Sequence, residues 1–303
     1  MNRPCVSSKE CPKKNEAGNC LVPASDGLLA QCVGDWCQEK YFFLLSYLKA
    51  SRQARKKFAD KGNAVYIDLF SGNGLCVIQR KNSEIDNGCI QVLNLKENRF
   101  TNHFLMDISE DNISMLEQRL DGRKDFQCIH GNSNESVNTL VDKLKKTDYK
   151  YHFAFIDPFA PRALKFSTIK KLAELPRMDM MIHFPIGSIK RNLQTWIDAS
   201  GDTILDSFLG TSKWRDVVKA DTDDDAIKLL GIFKDQLVLA GYPEENLYAF
   251  SDTDKSSVVQ LAKIRNSRNA PLYYLILVSR HSLGKKMWDS VLKYLPSGQK
   301  RLF

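Results

Sequence analysis

The stretch 65–74, Val-Tyr-Ile-Asp-Leu-Phe-Ser-Gly-Asn-Gly, restricts the fold of this chain more than any other. Apolar and β-branched residues run up to Asp68, which predicts a buried strand. Gly72 and Gly74 then allow the backbone to turn sharply and to lie close against a ligand. In an open α/β sheet, the ligand lies beyond the carboxyl ends of the strands, where the strand order reverses. We therefore expect this strand and its turn to form the floor of a nucleotide pocket.

The glycine turn does not have the form of a phosphate site. A dinucleotide fingerprint needs a third glycine three residues after Gly74, where Val77 stands, and no Gly-Lys-Ser or Gly-Lys-Thr of a Walker loop follows. Asp-x-Phe-x-Gly-x-Gly is instead the form found in S-adenosylmethionine-dependent methyltransferases, whose ligand has no phosphates. We therefore expect S-adenosylmethionine as the cofactor, although a plain tight turn is the alternative. The expected contacts from this motif are Asp68, Phe70, Ser71, Gly72 and Gly74.

Two later strands are predicted to add to the same pocket. Residues 104–107 form an apolar run that ends in Asp107, and an acid at this place in a nucleoside-binding fold accepts hydrogen bonds from ribose hydroxyls. Residues 126–130 form the next short strand, and Asn132 in the Gly-Asn-Ser-Asn loop behind it could reach an adenine nitrogen. A turn-forming acid and a helix-capping Asn are the alternative interpretations.

Residues 151–159, Tyr-His-Phe-Ala-Phe-Ile-Asp-Pro-Phe, predict a strand that is buried on both sides and ends in a carboxylate. In methyltransferases that act on exocyclic amines, an Asp or Asn followed by prolines and an aromatic binds the target amine and stacks on its ring. That ring is often flipped out of a nucleic-acid strand. We therefore expect Asp157, Pro158 and Phe159 to be catalytic, although Asp-Pro-Phe-Ala departs from the usual Asp-Pro-Pro-Tyr.

The remaining segments predict an α/β protein with a Rossmann-like methyltransferase sheet, mostly parallel, with an antiparallel edge strand and a helical insertion. The expected division is an irregular Cys-containing arm over 1–25, the first part of the core over 26–187, a helical insertion that caps the pocket over 188–246, and the end of the core over 247–303. Helical spacing predicts one helix from Trp36 to about Phe58. Residues 78–88 are expected to form a loop, and 247–250 to pair with the strong strand at 272–278.

The charge balance favours an anionic partner. Lys and Arg outnumber Asp and Glu by 44 to 36, which gives a net charge of +8 and a pI near 9.0. Nucleic acid is the partner that we expect. The basic run Arg52, Arg55, Lys56 and Lys57 at the end of the first helix is the candidate phosphate contact, and a solvated helix face is the alternative.

Neither a membrane span nor a metal site is expected. No run of about 18 apolar residues is present, and the N-terminus lacks the apolar centre of a signal peptide, so we expect a cytoplasmic protein. Five of the eight cysteines fall within the first 37 residues. Their spacing gives no Cys-x-x-Cys pair, which favours free thiols over zinc ligands.

The motifs together resemble the three-Cys-motif partner proteins, over roughly residues 26 to 292. Trp36-x-x-x-Lys40, the glycine turn at 67–74 and the strand at 155–159 carry the resemblance. Gly88-Cys89, Phe100-Thr101, residues 131–134 and residues 273–284 agree with it. That family is similar to S-adenosylmethionine-dependent methyltransferases and is associated with a phage-type protein that bears the three-cysteine motif. The resemblance therefore implies such a partner and supplies no substrate.

We thus expect an S-adenosylmethionine-dependent methyltransferase that acts on nucleic acid, with an exocyclic amine of a base as a candidate acceptor. Cytosine C5 methylation is disfavoured, because it needs a Pro-Cys turn after the fourth strand and Phe159 follows Pro158. A serine hydrolase is disfavoured because no Gly-x-Ser-x-Gly is present. The alternative is a non-catalytic nucleic-acid-binding or assembly protein on the same scaffold.

Overall fold

The computed structural model describes residues 20–78, 81, 83–97, 99–219, 224–250, 258–265 and 269–294. The strands are β1 (Leu21–Pro23), β2 (Leu29–Val33), β3 (Ala64–Asp68), β4 (Leu75–Ile78), β5 (Ser83–Asp86), β6 (Asn102–Asp107), β7 (Phe126–His130), β8 (Tyr151–Ile156), β9 (Met178–Phe184), β10 (Ala249–Phe250), β11 (Val258–Val259), β12 (Ala262–Arg265) and β13 (Pro271–Val278). The α-helices are α1 (Trp36–Ala50), α2 (Arg52–Ala59), α3 (Gly88–Leu93), α4 (Glu110–Arg119), α5 (Ser133–Lys145), α6 (Phe166–Leu172), α7 (Ile186–Ile197), α8 (Ile204–Leu209), α9 (Asp225–Leu239) and α10 (Ser282–Leu292).

A seven-stranded sheet in the order β12-β13-β9-β8-β3-β6-β7 forms the centre of the protein. Strands β3, β6, β7, β8 and β9 are parallel, whereas β13 runs antiparallel to both β9 and β12. The expected Rossmann-like, mostly parallel sheet is therefore confirmed. Its antiparallel strand lies one position in from the edge. Strand order reverses at β3, which has β6 on one side and β8 on the other, and this is the point at which such sheets bind ligands.

Helices cover both faces of this sheet. Tyr66 of β3 faces a layer formed by α1, α3, α4 and α10, and it belongs to the same buried cluster as Tyr47, Leu116 and Trp288. The neighbouring residues Val65 and Ile67 face the opposite layer, which is built from α5 to α9. Because both faces are covered, all five residues of β3 are buried, which explains why the strand is apolar without alternation.

A second sheet, of order β1-β2-β4-β5, packs beside the glycine turn. Strand β4 begins immediately after Gly74 and runs parallel to β2, with Gln31 opposite Cys76. The prediction of a loop over 78–88 was therefore wrong in part, since Ser83–Asp86 is a strand that pairs with β4. The sequence of this strand does not show an alternation of apolar and polar residues, because an edge strand whose residues are only partly buried does not require one. Of the predicted irregular arm, residues 1–19 lie outside the described residues, and the rest includes β1.

Two other expected elements differ from the structure. The single helix expected from Trp36 to Phe58 is divided at Ser51 into α1 and α2. The strand partner of β13 is β12 rather than residues 247–250, whose Ala249 and Phe250 pair with β11 in a separate two-stranded sheet. In the part of the chain that the structure describes, no helix combines the length and apolar character needed to cross a bilayer.

The helices of region 188–246 form a layer on one face of the sheet. Phe208 of α8 and Phe233 of α9 pack against Phe184 at the end of β9, with ring centroids 5.4 and 5.2 Å from it. Only α7 among these helices contributes lining residues to the cavity described below. The expected cap over the pocket is therefore limited to the beginning of α7.

Candidate functional site

A cavity of about 750 Å³ opens at the carboxyl ends of β3, β6, β8 and β9. This volume lies within the range of small-molecule sites. The cavity receives side chains from the glycine turn, from α1, from β2 and from the first turns of α5 and α7. All ten expected cofactor and catalytic residues except Gly72 and Gly74 line it, and the two glycines form the turn beneath. The lining members are Asp68, Phe70, Ser71, Asp107, Asn132, Asp157, Pro158 and Phe159.

The glycine turn is held in a conformation that favours glycine. Gly72 has φ of 61° and Gly74 has φ of 94°, both in the left-handed region. A Cβ on Gly74 would come within 3.1 Å of Leu116 Cδ1, and one on Gly72 within 3.1 Å of Gln31 Oε1. Between β3 and Gly72, the Ser71 hydroxyl is buried, lines the cavity and has no hydrogen-bond partner among the described residues. Ser71 Oγ therefore has unused hydrogen-bonding capacity beside the cavity.

Asp68 ends β3 and is 2% exposed. One carboxylate oxygen accepts from the backbone N–H of Phe70 at 3.1 Å and the other from the Tyr66 hydroxyl at 3.0 Å. Burial raises the pKa of Asp68 to about 7, and the nearby charge of Asp157 acts in the same direction. A positively charged ligand group would favour the ionised form.

Asp107 ends β6 and fixes the glycine turn. Its Oδ2 accepts from the N–H of Gly72 at 2.9 Å, while its Oδ1 accepts from Ser109 N–H and from the Asn112 side chain. Each carboxylate oxygen has two acceptor positions, so Oδ2 retains one for a ligand hydroxyl. The next residue, Ile108, is 58% exposed and lines the cavity. An apolar surface beside this carboxylate suits a flat ring attached to a sugar.

Asn132 is the N-cap of α5, as the capping interpretation expects. Its Oδ1 accepts from the N–H of Asn134 at 3.0 Å, and its Nδ2 donates to Glu135. Asn132 lines the cavity, but its side chain is already engaged within the helix. The expected contact between the Asn132 side-chain amide and adenine therefore does not fit this geometry, which leaves only the backbone of the turn to contact a ligand.

A charged cluster that the sequence motifs do not indicate surrounds Asp157. Lys40 of α1 forms an ion pair with Asp157 Oδ2, and His183 Nδ1 lies 2.7 Å from Asp157 Oδ1. Burial would raise the pKa of Asp157, but the positive charge of Lys40 and the hydrogen bond from His183 outweigh it and hold this pKa well below the usual value. Asp157 is therefore a stable carboxylate and a weak base.

The protonation of His183 follows from that of Asp157. A carboxylate has no proton to donate, so Nδ1 of His183 carries the hydrogen and Nε2 carries the lone pair. Burial lowers the pKa of His183, against the opposing effect of Asp157, which leaves the imidazole neutral near pH 7. The ring packs on Tyr273 with centroids 4.0 Å apart. Nε2 is buried and has no partner among the described residues.

The sequence contained one overlooked signal for this cluster. Lys40 lies three residues after Cys37 and four before Leu44, both of which are buried on the inner face of α1. A lysine in register with a buried helix face needs an anionic partner. His183 carried no comparable signal, because its place beside Asp157 depends on the pairing of β8 with β9.

Pro158 and Phe159 follow Asp157 at the cavity mouth. Pro158 is buried, and Phe159 is 70% exposed while still lining the cavity. A large aromatic side chain that is exposed at the cavity entrance provides a flat surface for a ring-shaped ligand.

The cysteines near the cavity are poor nucleophiles. Burial raises the pKa of Cys37 to about 12 and that of Cys76 to about 11, so both are neutral thiols near pH 7. Within the described residues, no group of three or more His, Cys, Asp or Glu side chains is placed to hold a metal ion. Cys5 and Cys11 lie outside the described residues.

The basic run in α2 lies away from the cavity. Helix α2 precedes the amino end of β3, whereas the cavity is at the carboxyl end. The expectation of a phosphate contact does not fit Arg55, which is 1% exposed, donates to Ser51 Oγ and the Leu48 carbonyl, and stacks on Phe100. Arg52, Lys56 and Lys57 are exposed and pair with Glu97, Asp60 and the Phe58 ring.

Comparisons with known proteins give only distant similarities. No protein-family model matches the chain, and no curated protein matches its sequence. Among solved structures, protein LPL1258 of the DUF519 family from Legionella pneumophila is 9% identical, with a TM-score of 0.48 over 89% of this chain and 96% of that one. An rRNA methylase from Streptococcus thermophilus is 12% identical, with a TM-score of 0.35 over 76% and 95%. An O-methyltransferase from Bacillus cereus in complex with SAH is 9% identical, with a TM-score of 0.37 over 76% and 80%. None of these similarities identifies what this chain binds or modifies.

Proposed function

We propose that this chain is an S-adenosylmethionine-dependent methyltransferase whose acceptor is an exocyclic amine of a base in nucleic acid. The observation that carries the proposal is the cavity at the switch point of the sheet, where Asp68, Asp107 and Asp157 meet above the glycine turn. In the interior of the cavity, inside the two arginines at its mouth, three carboxylates and one lysine disfavour phosphate groups and favour a ligand that carries positive charge. S-adenosylmethionine supplies a methyl group activated on a cationic sulfur, and its sulfonium and ammonium groups outweigh its single carboxylate, so the ligand is positively charged overall and its nucleoside is uncharged.

The donors and acceptors of the cavity suit that cofactor. Asp68, whose pKa is raised to about 7 by burial, is positioned to bind the ammonium group, and the free acceptor position of Asp107 suits a ribose hydroxyl. Ile108 offers an apolar surface for adenine, and the unpartnered Ser71 hydroxyl can bind a polar cofactor atom. Gly72 and Gly74 have no Cβ, so no side chain from these two positions intrudes on the floor of the cavity.

Asp157 acts as an orienting anion in this proposal. Because Lys40 and His183 keep its pKa low, it is poorly suited to remove a proton. It can instead accept a hydrogen bond from the target amine and stabilise positive charge that develops on the nitrogen. Phe159 stacks on the base and aligns it, which is the main contribution that a protein makes to a transfer of this kind.

Calorimetry with S-adenosylmethionine tests the cofactor part of the proposal. We expect saturable binding by the full chain, loss of binding in Asp68→Ala, and unchanged binding in the control Asp148→Ala, which removes an exposed carboxylate before β8. Equal affinity of wild type and Asp68→Ala would contradict the pocket assignment.

Transfer of a tritiated methyl group to DNA, RNA and protein pools tests the acceptor. We expect label in a nucleic-acid pool, and we expect Asp157→Ala to bind the cofactor but to transfer at least about 100-fold more slowly, as for loss of one preorganised electrostatic group. Binding of the cofactor without transfer to any pool would favour a non-catalytic nucleic-acid-binding or assembly protein on the same scaffold.

The resemblance to three-Cys-motif partner proteins adds a protein partner to the proposal. We infer that the chain works beside a phage-type protein with that motif. Co-expression of the two chains followed by size-exclusion chromatography tests this, and separate elution at micromolar concentration would count against a stable complex.

A further inference from the structure

The mouth of the cavity carries exposed positive charge, whereas the lysine of the interior, Lys40, is paired with Asp157. Arg162, in the short turn after Phe159, and Arg191, on α7, both line the cavity and are exposed. Neither has a hydrogen bond or an ion pair with any residue that the structure describes. We call Phe159, Arg162 and Arg191 the cavity rim.

Three further basic residues, Lys190, Lys263 and Arg265, lie toward the same edge of the sheet as the rim. Helix α7 starts directly after β9, and β12 runs in the same direction as β9, so Lys190 and the end of β12 are at the same edge of the sheet as the cavity. Burial, followed by the charges of Arg265 and Lys190, lowers the pKa of Lys263. These three cations are therefore near one another and extend the positive surface from the rim toward the edge strand.

The opposite charges of rim and interior limit what can bind across them. Phosphate groups would be repelled by Asp68, Asp107 and Asp157 in the interior but attracted by the guanidinium groups outside. An uncharged base can enter where a phosphate cannot. A polynucleotide strand has both parts, and a base must leave its stack to reach the cavity.

We propose that the cavity rim binds a single-stranded polynucleotide, with Arg162 and Arg191 on phosphates that flank one base and Phe159 stacked on that base. This inference rests on the proposed function, because it is that function which requires the base to enter the cavity. It assigns the strand-binding role to the rim rather than to the basic run in α2.

Fluorescence anisotropy with a fluorescein-labelled 12-nucleotide strand of mixed sequence tests the rim, with separate RNA and DNA arms at three salt concentrations. For Arg162→Ala/Arg191→Ala we expect at least a tenfold loss of affinity. We also expect a salt dependence shallower by about 1.4 in the log–log slope, at ~0.7 for each phosphate contact with a single strand. Phe159→Ala should lose about fivefold or more, as for removal of one stacked base.

Two matched variants sharpen the test. Lys146→Ala/Lys150→Ala removes the same charge from exposed positions around the loop before β8, at the amino edge of the sheet, and should change affinity less than twofold. Arg52→Ala/Lys57→Ala tests the basic run of α2. A greater loss in either of these than in the rim variant, tighter binding of a duplex than of its single strands, or no binding by the wild type would overturn the inference.

Failure of the rim is distinguishable from failure of the proposed function. Calorimetry on the rim variant should give unchanged affinity for S-adenosylmethionine, since Arg162 and Arg191 lie outside the cofactor contacts. Unchanged strand affinity in a rim variant that still binds the cofactor would contradict the strand-binding role of the rim and leave the methyltransferase proposal intact. A wild type that binds the strand through the rim but not the cofactor would remove the methyltransferase proposal alone.

Discussion

Lys40 of α1 and Asp157, the residue that follows β8, form an ion pair across 117 residues of sequence, and their side chains are only 13% and 16% exposed. The pair joins a helix that precedes the sheet to the strand that contributes the proposed acceptor contact. His183 forms a hydrogen bond with the other carboxylate oxygen of Asp157, so both oxygens of Asp157 are already hydrogen-bonded within the protein. This arrangement determines the ionisation of the group on which the proposed chemistry depends.

Replacement Lys40→Met should destabilise the fold by about 3 kcal/mol at pH 8, because it leaves Asp157 buried without its cation. The folded-state pKa of Asp157 is depressed in the wild type, so its contribution to stability is present above the ordinary Asp pKa of 3.8 and is lost only as pH falls below it. In the variant, burial raises this pKa instead. Urea unfolding should therefore give a larger difference at pH 8 than at pH 4.5. Lys56→Met, which breaks the exposed pair with Asp60, should change stability by less than about 0.5 kcal/mol at both pH values.

Replacement Asp68→Asn should stabilise the fold at pH 8. The folded-state pKa of Asp68 is raised from 3.8 to about 7 by burial, so its contribution to stability is fully present below pH 3.8 and is lost as pH rises through about 7. An amide can accept from Phe70 N–H and donate to the Tyr66 hydroxyl without ionising. We expect a gain of about 1–4 kcal/mol in unfolding free energy at pH 8, since one pKa unit corresponds to about 1.4 kcal/mol. Little gain is expected at pH 4.5.

A control of opposite sign is available at Asp125. A hydrogen bond from Arg123 lowers the pKa of this carboxyl, so Asp125→Asn should destabilise at pH 8 rather than stabilise. If Asp68→Asn and Asp125→Asn shift the melting temperature in the same direction at pH 8, the raised pKa of Asp68 is wrong.

Cofactor affinity should depend on pH through the same group. In the proposed site, an ammonium group of the ligand would bind the ionised form of Asp68, whose pKa is raised to about 7 by burial. Below pH 7, binding must therefore displace a proton from Asp68. The Kd should then rise by up to about tenfold for each unit by which the pH falls. Calorimetry at pH 5.5, 6.5 and 8 in buffers of different ionisation enthalpy measures both the affinity and the released proton. A flat profile would place the ammonium group elsewhere.

Replacement Gly74→Ala should cost stability in two separable ways. Its φ of 94° disfavours any Cβ, and the new methyl group would lie 3.1 Å from Leu116 Cδ1. Gly122 has a similar φ of 80°, but a Cβ added there would meet no atom within 4 Å among the described residues, so Gly122→Ala isolates the backbone cost of about 1–2 kcal/mol. We expect Gly74→Ala to lose more than Gly122→Ala in urea unfolding and to weaken cofactor binding. Equal losses would mean that Leu116 moves aside without cost.

Local sequence patterns were sufficient to place the main carboxylates of the site. Asp68, Asp107 and Asp157 each follow a run of apolar residues, and parallel strands bring such ends to one edge. The cluster of Lys40 and His183 around Asp157 was not predicted, because it depends on how α1 and β9 pack on β8. Arg55 was predicted from a charge run to contact phosphates, or else to lie on a solvated helix face, whereas in the structure it is buried in α2 and lies over the Phe100 ring. A run of like charges gives no information about which member of a helix faces the core.

The parallel pairing of β2 with β4 has a consequence for how this protein is made and handled. Strand β2 is translated more than 40 residues before β4, and its register is completed only when the segment after Gly74 arrives beside it. Arg119 links the start of β2 to the glycine turn that precedes β4, because it donates to Asp26, to the Leu29 carbonyl and to the Asn73 carbonyl. A chain shortened to begin at α1 would lack β1 and β2, which form one wall of the binding chamber. The edge of β4 that pairs with β2 would then be unprotected, so a protein expressed from such a clone should aggregate.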